Sequence, residues 1–143
     1  MKTLKRSASA VWKGGIKDGA GTVSSESGVL SNAPYNFKQR FESEKGTNPE
    51  ELIAAAHAAC FSMALSSSMA KEGLNPQSID TTATVTFDKV NDAWTVTSSH
   101  LQTSVKSQGA DPAAFKKAAE GAKAGCPISR LLNTTITMDA KLV

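Results

Sequence analysis

Residues 49–71 constrain the fold more than any other stretch of the chain. Asn48 is a favoured N-cap residue, and Pro49 suits the first position of a helix. These signals predict a helix that begins at Pro49, continues to about Lys71 and stops near Gly73. Almost every position from 52 to 65 is apolar, and alanine is the commonest residue there. A helix that is apolar on all sides must be buried, so we expect close packing against another helix or a sheet.

Strand patterns flank this helix on both sides. Alternating and β-branched residues predict short strands at 8–12, 22–24, 28–30 and 35–41. Residues 79–89 and 93–106 predict a hairpin that turns at Asn91 and Asp92.

A second helix is predicted from Pro112 to Gly125 because Asp111 is a suitable N-cap. A short helix at 128–132 and a strand at 134–142 follow. The order of elements predicts an α+β fold with a mainly antiparallel sheet, in a single domain over 1–143.

Composition excludes several classes of protein. The 143 residues carry 16 basic and 13 acidic side chains, and basic residues never form a run longer than two. We therefore expect neither a nucleic-acid partner nor a membrane partner. The apolar run 52–65 is shorter than the ~20 residues that cross a bilayer. Without a signal peptide or a disulfide scaffold, a cytoplasmic location is expected. Neither metal-ligand spacing nor a phosphate-binding loop is present.

Cys126 lies between two helix signals, because Gly125 ends one helix and Pro127 suits the first position of the next. Unpaired backbone N–H groups and the helix dipole at such a position favour a thiolate. The alternative is a small buried residue at a helix junction.

Cys60 lies in the middle of the apolar helix, where burial raises a thiol pKa and makes the sulfur inert. A structural core cysteine is therefore one interpretation. A reactive Cys60 would need a nearby cation. His57 is one turn earlier, although a satisfied core histidine is its simpler role. Arg40 is the stronger candidate because its charge is permanent.

Glu50 is the acid that would hold such an arginine. It precedes Cys60 by ten residues, about 15 Å along a straight helix, so one arginine would not contact both within that helix. If two copies of the helix packed antiparallel, Glu50 of one chain would approach Cys60 of the other. Glu50 also suits the positive end of the helix dipole in either case.

Four stretches of the chain together resemble the osmotically inducible protein C (OsmC) family. The quoted segments are residues 40–42, 46–65, 78–83 and 123–129. The related organic hydroperoxide resistance (Ohr) branch places its essential arginine in an early turn, and residues 19–26 here contain none. The match is closer to the OsmC branch, whose arginine corresponds to Arg40.

The resemblance implies an intertwined homodimer, with long central helices between shared sheets and active sites at the interface. It implies a thiol peroxidase without a cofactor, acting in oxidative or osmotic stress. Cys60 would be the peroxidatic thiol and Cys126 the resolving thiol. Arg40 would favour the Cys60 thiolate, and Glu50, from the same chain or from the partner chain, would orient Arg40.

The resemblance also implies a substrate and a reductant. Organic hydroperoxides would be preferred over hydrogen peroxide, and an external dithiol such as a dihydrolipoyl protein would reduce the Cys60–Cys126 disulfide. The apolar side chains expected to contact the substrate are Phe41, Leu52, Ile53, Phe61 and Met63. The alternative function is a non-catalytic dimer that binds an apolar ligand and has structural cysteines.

Overall fold

The computed structural model describes residues 2–143, which form two compact units divided between Leu52 and Ile53. The first unit contains a three-stranded antiparallel sheet with the order β1 (Ala8–Lys13), β2 (Ala20–Ser25) and β3 (Ala33–Tyr35). A side chain at Gly21 of β2 would collide with the rings of Trp12 and Tyr35, so glycine is required there.

The strand predicted at 28–30 is wrong, because these residues form the turn between β2 and β3. Gly28 adopts a φ of +83°, which favours glycine, and the Val29 side chain is 86% exposed. The Ser25 N–H donates to the Leu30 carbonyl across the turn at 2.9 Å. Without a partner strand beside them, the apolar Val29 and Leu30 do not extend the sheet.

The strand predicted at 35–41 is also wrong beyond Tyr35. Residues Phe37–Phe41 form a short helix, α1. The Asn36 side chain accepts a hydrogen bond from the Gln39 N–H at 2.9 Å, which caps the helix and outweighs the alternating pattern of aromatic residues.

The long helix α2 has the bounds Pro49–Lys71 that the sequence predicts. The Asn48 carboxamide oxygen accepts a hydrogen bond from the Glu51 N–H at 2.8 Å. At the other end, Leu74 N–H donates to Met69 and Gly73 N–H donates to Ala70, which is the Schellman pattern. The N-terminal and C-terminal signals are therefore both confirmed.

The second unit contains β4 (Ser78–Val90), β5 (Ala93–Lys106) and β6 (Thr135–Leu142) in that order. The predicted hairpin is confirmed, and its turn residues Asn91 and Asp92 both have positive φ. β6 pairs parallel to β5. The α+β class and the mainly antiparallel sheets are thus confirmed. The helices α3 (Pro112–Gly125) and α4 (Pro127–Leu131) connect β5 to β6.

The core of the second unit is formed where α2 and α3 pack with β5. Its fully buried side chains include Phe61, Leu65 and Met69 of α2, together with Leu101 and Val105 of β5. This packing fixes the middle of α2, the segment that carries Cys60.

The opposite face of α2 is not buried within the chain, contrary to the expectation for a helix that is apolar on all sides. Ala55, Ala56 and Ala59 are exposed, and Met63 is 77% exposed. At 23 residues, α2 has the length and hydropathy of a membrane span, although the shorter run 52–65 predicted otherwise. Core helices of soluble proteins satisfy the same test, so it is weak evidence for a membrane.

Candidate active site

The two cysteines meet in the second unit. The Cys60 and Cys126 Sγ atoms lie 2.9 Å apart, and both thiols are free. A disulfide bond is about 2.03–2.05 Å long, so a small movement would join them. Cys126 is completely buried and Cys60 is half-buried.

The junction between α3 and α4 holds Cys126 in place. Its N–H donates to the Ala122 carbonyl at 2.9 Å and ends α3, and its carbonyl accepts from the Arg130 N–H at 3.0 Å in α4. Cys126 is therefore the N-cap of α4, as expected from Pro127.

The surroundings of the two sulfurs differ in their effect on the thiol pKa. Burial raises the pKa of Cys126, but hydrogen bonds outweigh it and leave the pKa below its ordinary value. The groups that favour the charged sulfur are the Cys60 thiol, the Ser129 N–H and hydroxyl, and the Ile128 N–H. Burial and the neighbouring Cys126 raise the pKa of Cys60, and the Ile128 N–H only partly opposes this rise. The surroundings of Cys60 within the second unit therefore keep its pKa above the ordinary value.

A second polar pair, Arg40 and Glu50, lies in the first unit. Arg40 Nε donates to Glu50 Oε1 at 3.0 Å, and Arg40 Nη2 donates to Glu50 Oε2 at 2.9 Å. The Glu50 residue is only 8% exposed, so its carboxylate is largely removed from water. The expected bidentate pair is therefore present, and it forms within one chain.

Short structural elements place this ion pair. Arg40 lies on α1, which Asn36 caps, and its guanidinium lies 5.1 Å from the centre of the Phe41 ring. Glu50 lies in the first turn of α2, where a carboxylate is favoured by the helix dipole. The catalytic roles of Arg40 and Glu50 stay predictions.

The five apolar side chains expected around the substrate have different environments. Phe41 lines a cavity of about 210 Å³ in the first unit, and Leu52 lines a separate apolar cavity of about 160 Å³. Ile53 is half-buried, and Met63 is exposed. Phe61 is fully buried in the core of the second unit, because its ring packs there with other apolar side chains.

Sequence reasoning missed a hydrogen-bonded chain through His57. Its Nδ1 lies 2.7 Å from the Ser99 hydroxyl and its Nε2 lies 2.8 Å from the Ser129 hydroxyl. Burial lowers the pKa of His57, which favours the neutral ring. His57 is therefore the satisfied core histidine offered above as an alternative. The serines are 42 and 72 residues away in sequence, so local spacing did not reveal them.

No group of three or more His, Cys, Asp or Glu side chains within residues 2–143 is arranged to hold a metal ion. The chemistry that these residues offer is that of a thiol pair and a buried ion pair.

The structure is a two-sheet α+β fold with two adjacent thiols, which is the arrangement to compare with known protein families. The OsmC-like protein family model matches residues 42–141, and the chain belongs to that family. The chain is 53% identical over 140 residues to Peroxiredoxin OsmC of Escherichia coli (strain K12), covering 98% of both chains. Peroxiredoxin OsmC of Shigella flexneri matches to the same extent. The predicted enzyme class, a peroxidase, is confirmed by these relatives.

Solved structures support the fold. An organic hydroperoxide resistance protein from Elizabethkingia anophelis is 26% identical with a TM-score of 0.72, covering 99% of this chain and 98% of the other. An OsmC-like protein from Mycoplasma pneumoniae has a TM-score of 0.76 at 15% identity, covering 99% of each chain. The predicted family and fold are therefore confirmed.

Proposed function

We propose that this peroxidase reduces organic hydroperoxides, and hydrogen peroxide less well, through a Cys60–Cys126 dithiol cycle. The observation that carries the proposal is the 2.9 Å separation of the two free sulfurs in a chain that is 53% identical to Peroxiredoxin OsmC. The organic hydroperoxide resistance proteins among the structural relatives support the choice of substrate class.

In the first step, the Cys60 thiolate attacks the terminal peroxide oxygen. An S–O bond forms, the O–O bond breaks, and the departing alkoxide takes up a proton and leaves as an alcohol. Cys60 becomes a sulfenic acid and has lost two electrons to the peroxide.

In the second step, Cys126 attacks the sulfur of the Cys60 sulfenic acid. The S–S bond forms as the S–O bond breaks, and the hydroxide leaves as water with the proton that Cys126 gives up. The lowered pKa of Cys126 favours the attacking thiolate. An external dithiol, such as a dihydrolipoyl protein, then reduces the disulfide and returns both thiols.

The Arg40–Glu50 pair is assigned the activation of Cys60. The neighbours of Cys60 in the second unit raise its pKa, so the thiolate needs a permanent positive charge. The Glu50 carboxylate fixes the guanidinium through two hydrogen bonds, which limits the orientations that Arg40 can adopt.

In this proposal, the exposed face of α2 contacts a second copy of the chain. Ala55, Ala56 and Ala59 allow close approach of another helix, and Met63 supplies an apolar side chain that the chain itself leaves 77% exposed. The resulting assembly is the homodimer with central helices that the family resemblance implies. A cytoplasmic location agrees with two thiols that must be reduced again after each turnover.

Substitution of each cysteine tests the proposal. We expect Cys60→Ser to abolish dithiol-supported reduction of cumene hydroperoxide, because the attacking sulfur is removed. Cys126→Ser should retain one oxidation of Cys60 and then stop at sulfenic or sulfinic acid. Stopped-flow kinetics and mass spectrometry of intact protein distinguish these outcomes. Unchanged turnover in Cys60→Ser would contradict the proposal and favour a non-catalytic ligand-binding protein.

A further inference from the structure

The buried chain Ser99–His57–Ser129 has no role in the cycle described so far. His57 and Ser99 are completely inaccessible to solvent, and Ser129 is nearly so. The three residues come from β5, α2 and α4, so the chain joins three elements of the second unit. Both ring nitrogens of His57 are within 2.8 Å of a hydroxyl oxygen.

The end of this chain reaches a reacting atom. Ser129 follows Cys126 by three residues, in the first turn of α4, and its hydroxyl is close enough to the Cys126 sulfur to help lower the pKa of that thiol. Ser129 is therefore hydrogen-bonded to His57 Nε2 and lies beside the thiol assigned to resolve the sulfenic acid.

The donors and acceptors along the chain can be counted. A neutral imidazole has one N–H donor and one acceptor nitrogen. If Ser99 donates to Nδ1, then Nε2–H donates to the Ser129 oxygen. The single hydroxyl hydrogen of Ser129 is then available to the Cys126 sulfur. In the opposite tautomer, Ser129 donates to Nε2 and has no hydrogen left for the thiolate.

We propose that Ser99 and His57 are positioning residues that keep the Ser129 hydroxyl as a hydrogen-bond donor to the Cys126 thiolate during the resolving step. The inference rests on the proposed function and assigns residues to its second half. The Ser129 hydroxyl stabilises the negative charge on the Cys126 sulfur before this sulfur attacks Cys60. The S–S bond then forms as the S–O bond of Cys60 breaks, and the hydroxide leaves as water with the proton that Cys126 gave up.

A second hydroxyl chain in the same unit provides a matched control. Ser62 donates to Thr81 at 2.8 Å, and Thr81 lies 3.0 Å from the Thr103 hydroxyl, which is also buried. This chain contacts α2 and the sheet as the first one does, but it does not include Cys126. Thr103→Val removes a buried hydroxyl of similar exposure with little change of shape.

The test separates the two chemical steps by stopped-flow fluorescence and quenched mass spectrometry after mixing with cumene hydroperoxide. We expect Ser129→Ala to slow disulfide formation about tenfold while sulfenic acid forms at the wild-type rate, because a hydrogen bond to a charged group is lost. Excess peroxide should then convert more Cys60 to sulfinic acid. Thr103→Val should keep the wild-type rates of both steps.

Two substitutions of His57 test whether it positions the Ser129 hydroxyl. His57→Leu should slow disulfide formation as Ser129→Ala does, because the donor to Ser129 is lost. His57→Gln should retain a faster second step, since its amide N–H can replace Nε2–H. Equal slowing by Gln and Leu would overturn the positioning role of His57.

The folding of each variant is checked by thermal unfolding. If His57→Leu does not fold, Ser129→Ala and Ser99→Ala decide the question, and Ser99→Ala should slow the second step less than Ser129→Ala. Disulfide formation at the wild-type rate in Ser129→Ala would overturn the inference about Ser129. It would leave the oxidation of Cys60, and therefore the proposed function, unaffected. Turnover by Cys60→Ser would instead overturn the proposed function.

Discussion

The thiol pair and the ion pair are positioned by different kinds of interaction. Cys60 and Cys126 are held by a core of long elements, where Phe61, Leu65 and Met69 fix α2. Arg40 lies on a five-residue helix that Asn36 caps, and its guanidinium is hydrogen-bonded to Glu50. The difference shows which forces position each group: hydrophobic packing fixes the helix that carries Cys60, whereas hydrogen bonds hold the Arg40 guanidinium.

The electrostatic conditions differ in the same way. Burial dominates at Cys60 and raises its pKa, whereas hydrogen-bond donors lower the pKa of Cys126. The Arg40 charge is permanent and needs no such adjustment. The proposed cycle needs a thiolate at each cysteine in turn. It would therefore depend on two different sources of stabilisation, the polar groups of α4 for Cys126 and the guanidinium for Cys60.

The largest effect is expected from a cavity in the core that supports the thiols. Leu65→Ala should lower the free energy of unfolding by about 2–5 kcal/mol, because Leu65 is fully buried. Urea unfolding measures the loss. Val29→Ala is the control, since Val29 is exposed in a turn, and its effect should stay within about 0.5 kcal/mol. Equal losses in the two variants would contradict the assignment of the core.

Changes to the ion pair should affect the rate more than the stability. We expect Arg40→Lys and Glu50→Gln each to lower kcat/KM for cumene hydroperoxide about ten- to a hundredfold, because each weakens the bidentate pair that presents the charge. Steady-state kinetics with a dithiol reductant give the ratio.

An exposed ion pair provides the control for this prediction. Lys117 lies 3.2 Å from Glu72, and Lys117→Gln should leave kcat/KM close to that of the wild type. Wild-type rates in both Arg40→Lys and Glu50→Gln would assign the activation of Cys60 to another group.

The smallest effect is the change in the free energy of unfolding that we expect when His57 titrates. An unfolded histidine titrates near 6.5, and burial lowers the pKa of His57 in the folded chain. As the pH falls below 6.5, the unfolded chain binds a proton that the folded chain does not, so the free energy of unfolding decreases. The decrease is at most about 1.4 kcal/mol per pH unit for one proton, and it levels off below the folded pKa.

Urea unfolding between about pH 7 and pH 5 measures this slope. His57→Gln should make the slope smaller, because glutamine does not titrate. An identical slope in wild type and His57→Gln would show that His57 is not the group responsible.

Local signals in the sequence were sufficient for most of the fold. The cap at Asn48 with Pro49, the cap at Asp111 with Pro112, and the turn at Asn91 and Asp92 each act within a few residues, and each element formed where expected. The two errors, at 28–30 and 37–41, fall on short segments. There, a single turn or cap outweighs the pattern of apolar residues.

The candidate active site could be predicted less completely from the sequence than the fold. The proximity of Cys60 and Cys126, 66 residues apart, came from the family resemblance and not from spacing. The bonds of His57 to Ser99 and Ser129 depend on how α2 packs against β5 and α4, which no local pattern encodes. The exposed face of α2 was missed for a related reason, since composition shows that a surface is apolar but not what covers it.

The order in which the cysteines are oxidised tests the central claim most directly. The Cys126→Ser and Cys60→Ser variants are each treated with a stoichiometric amount of cumene hydroperoxide in the presence of dimedone, which traps sulfenic acid, and the adduct is located by peptide mass spectrometry. We predict an adduct on Cys60 in Cys126→Ser and none on Cys126 in Cys60→Ser. An adduct on Cys126 in Cys60→Ser, together with unmodified Cys60 in Cys126→Ser, would contradict the account, because the thiol with the lowered pKa would then be the one that attacks the peroxide.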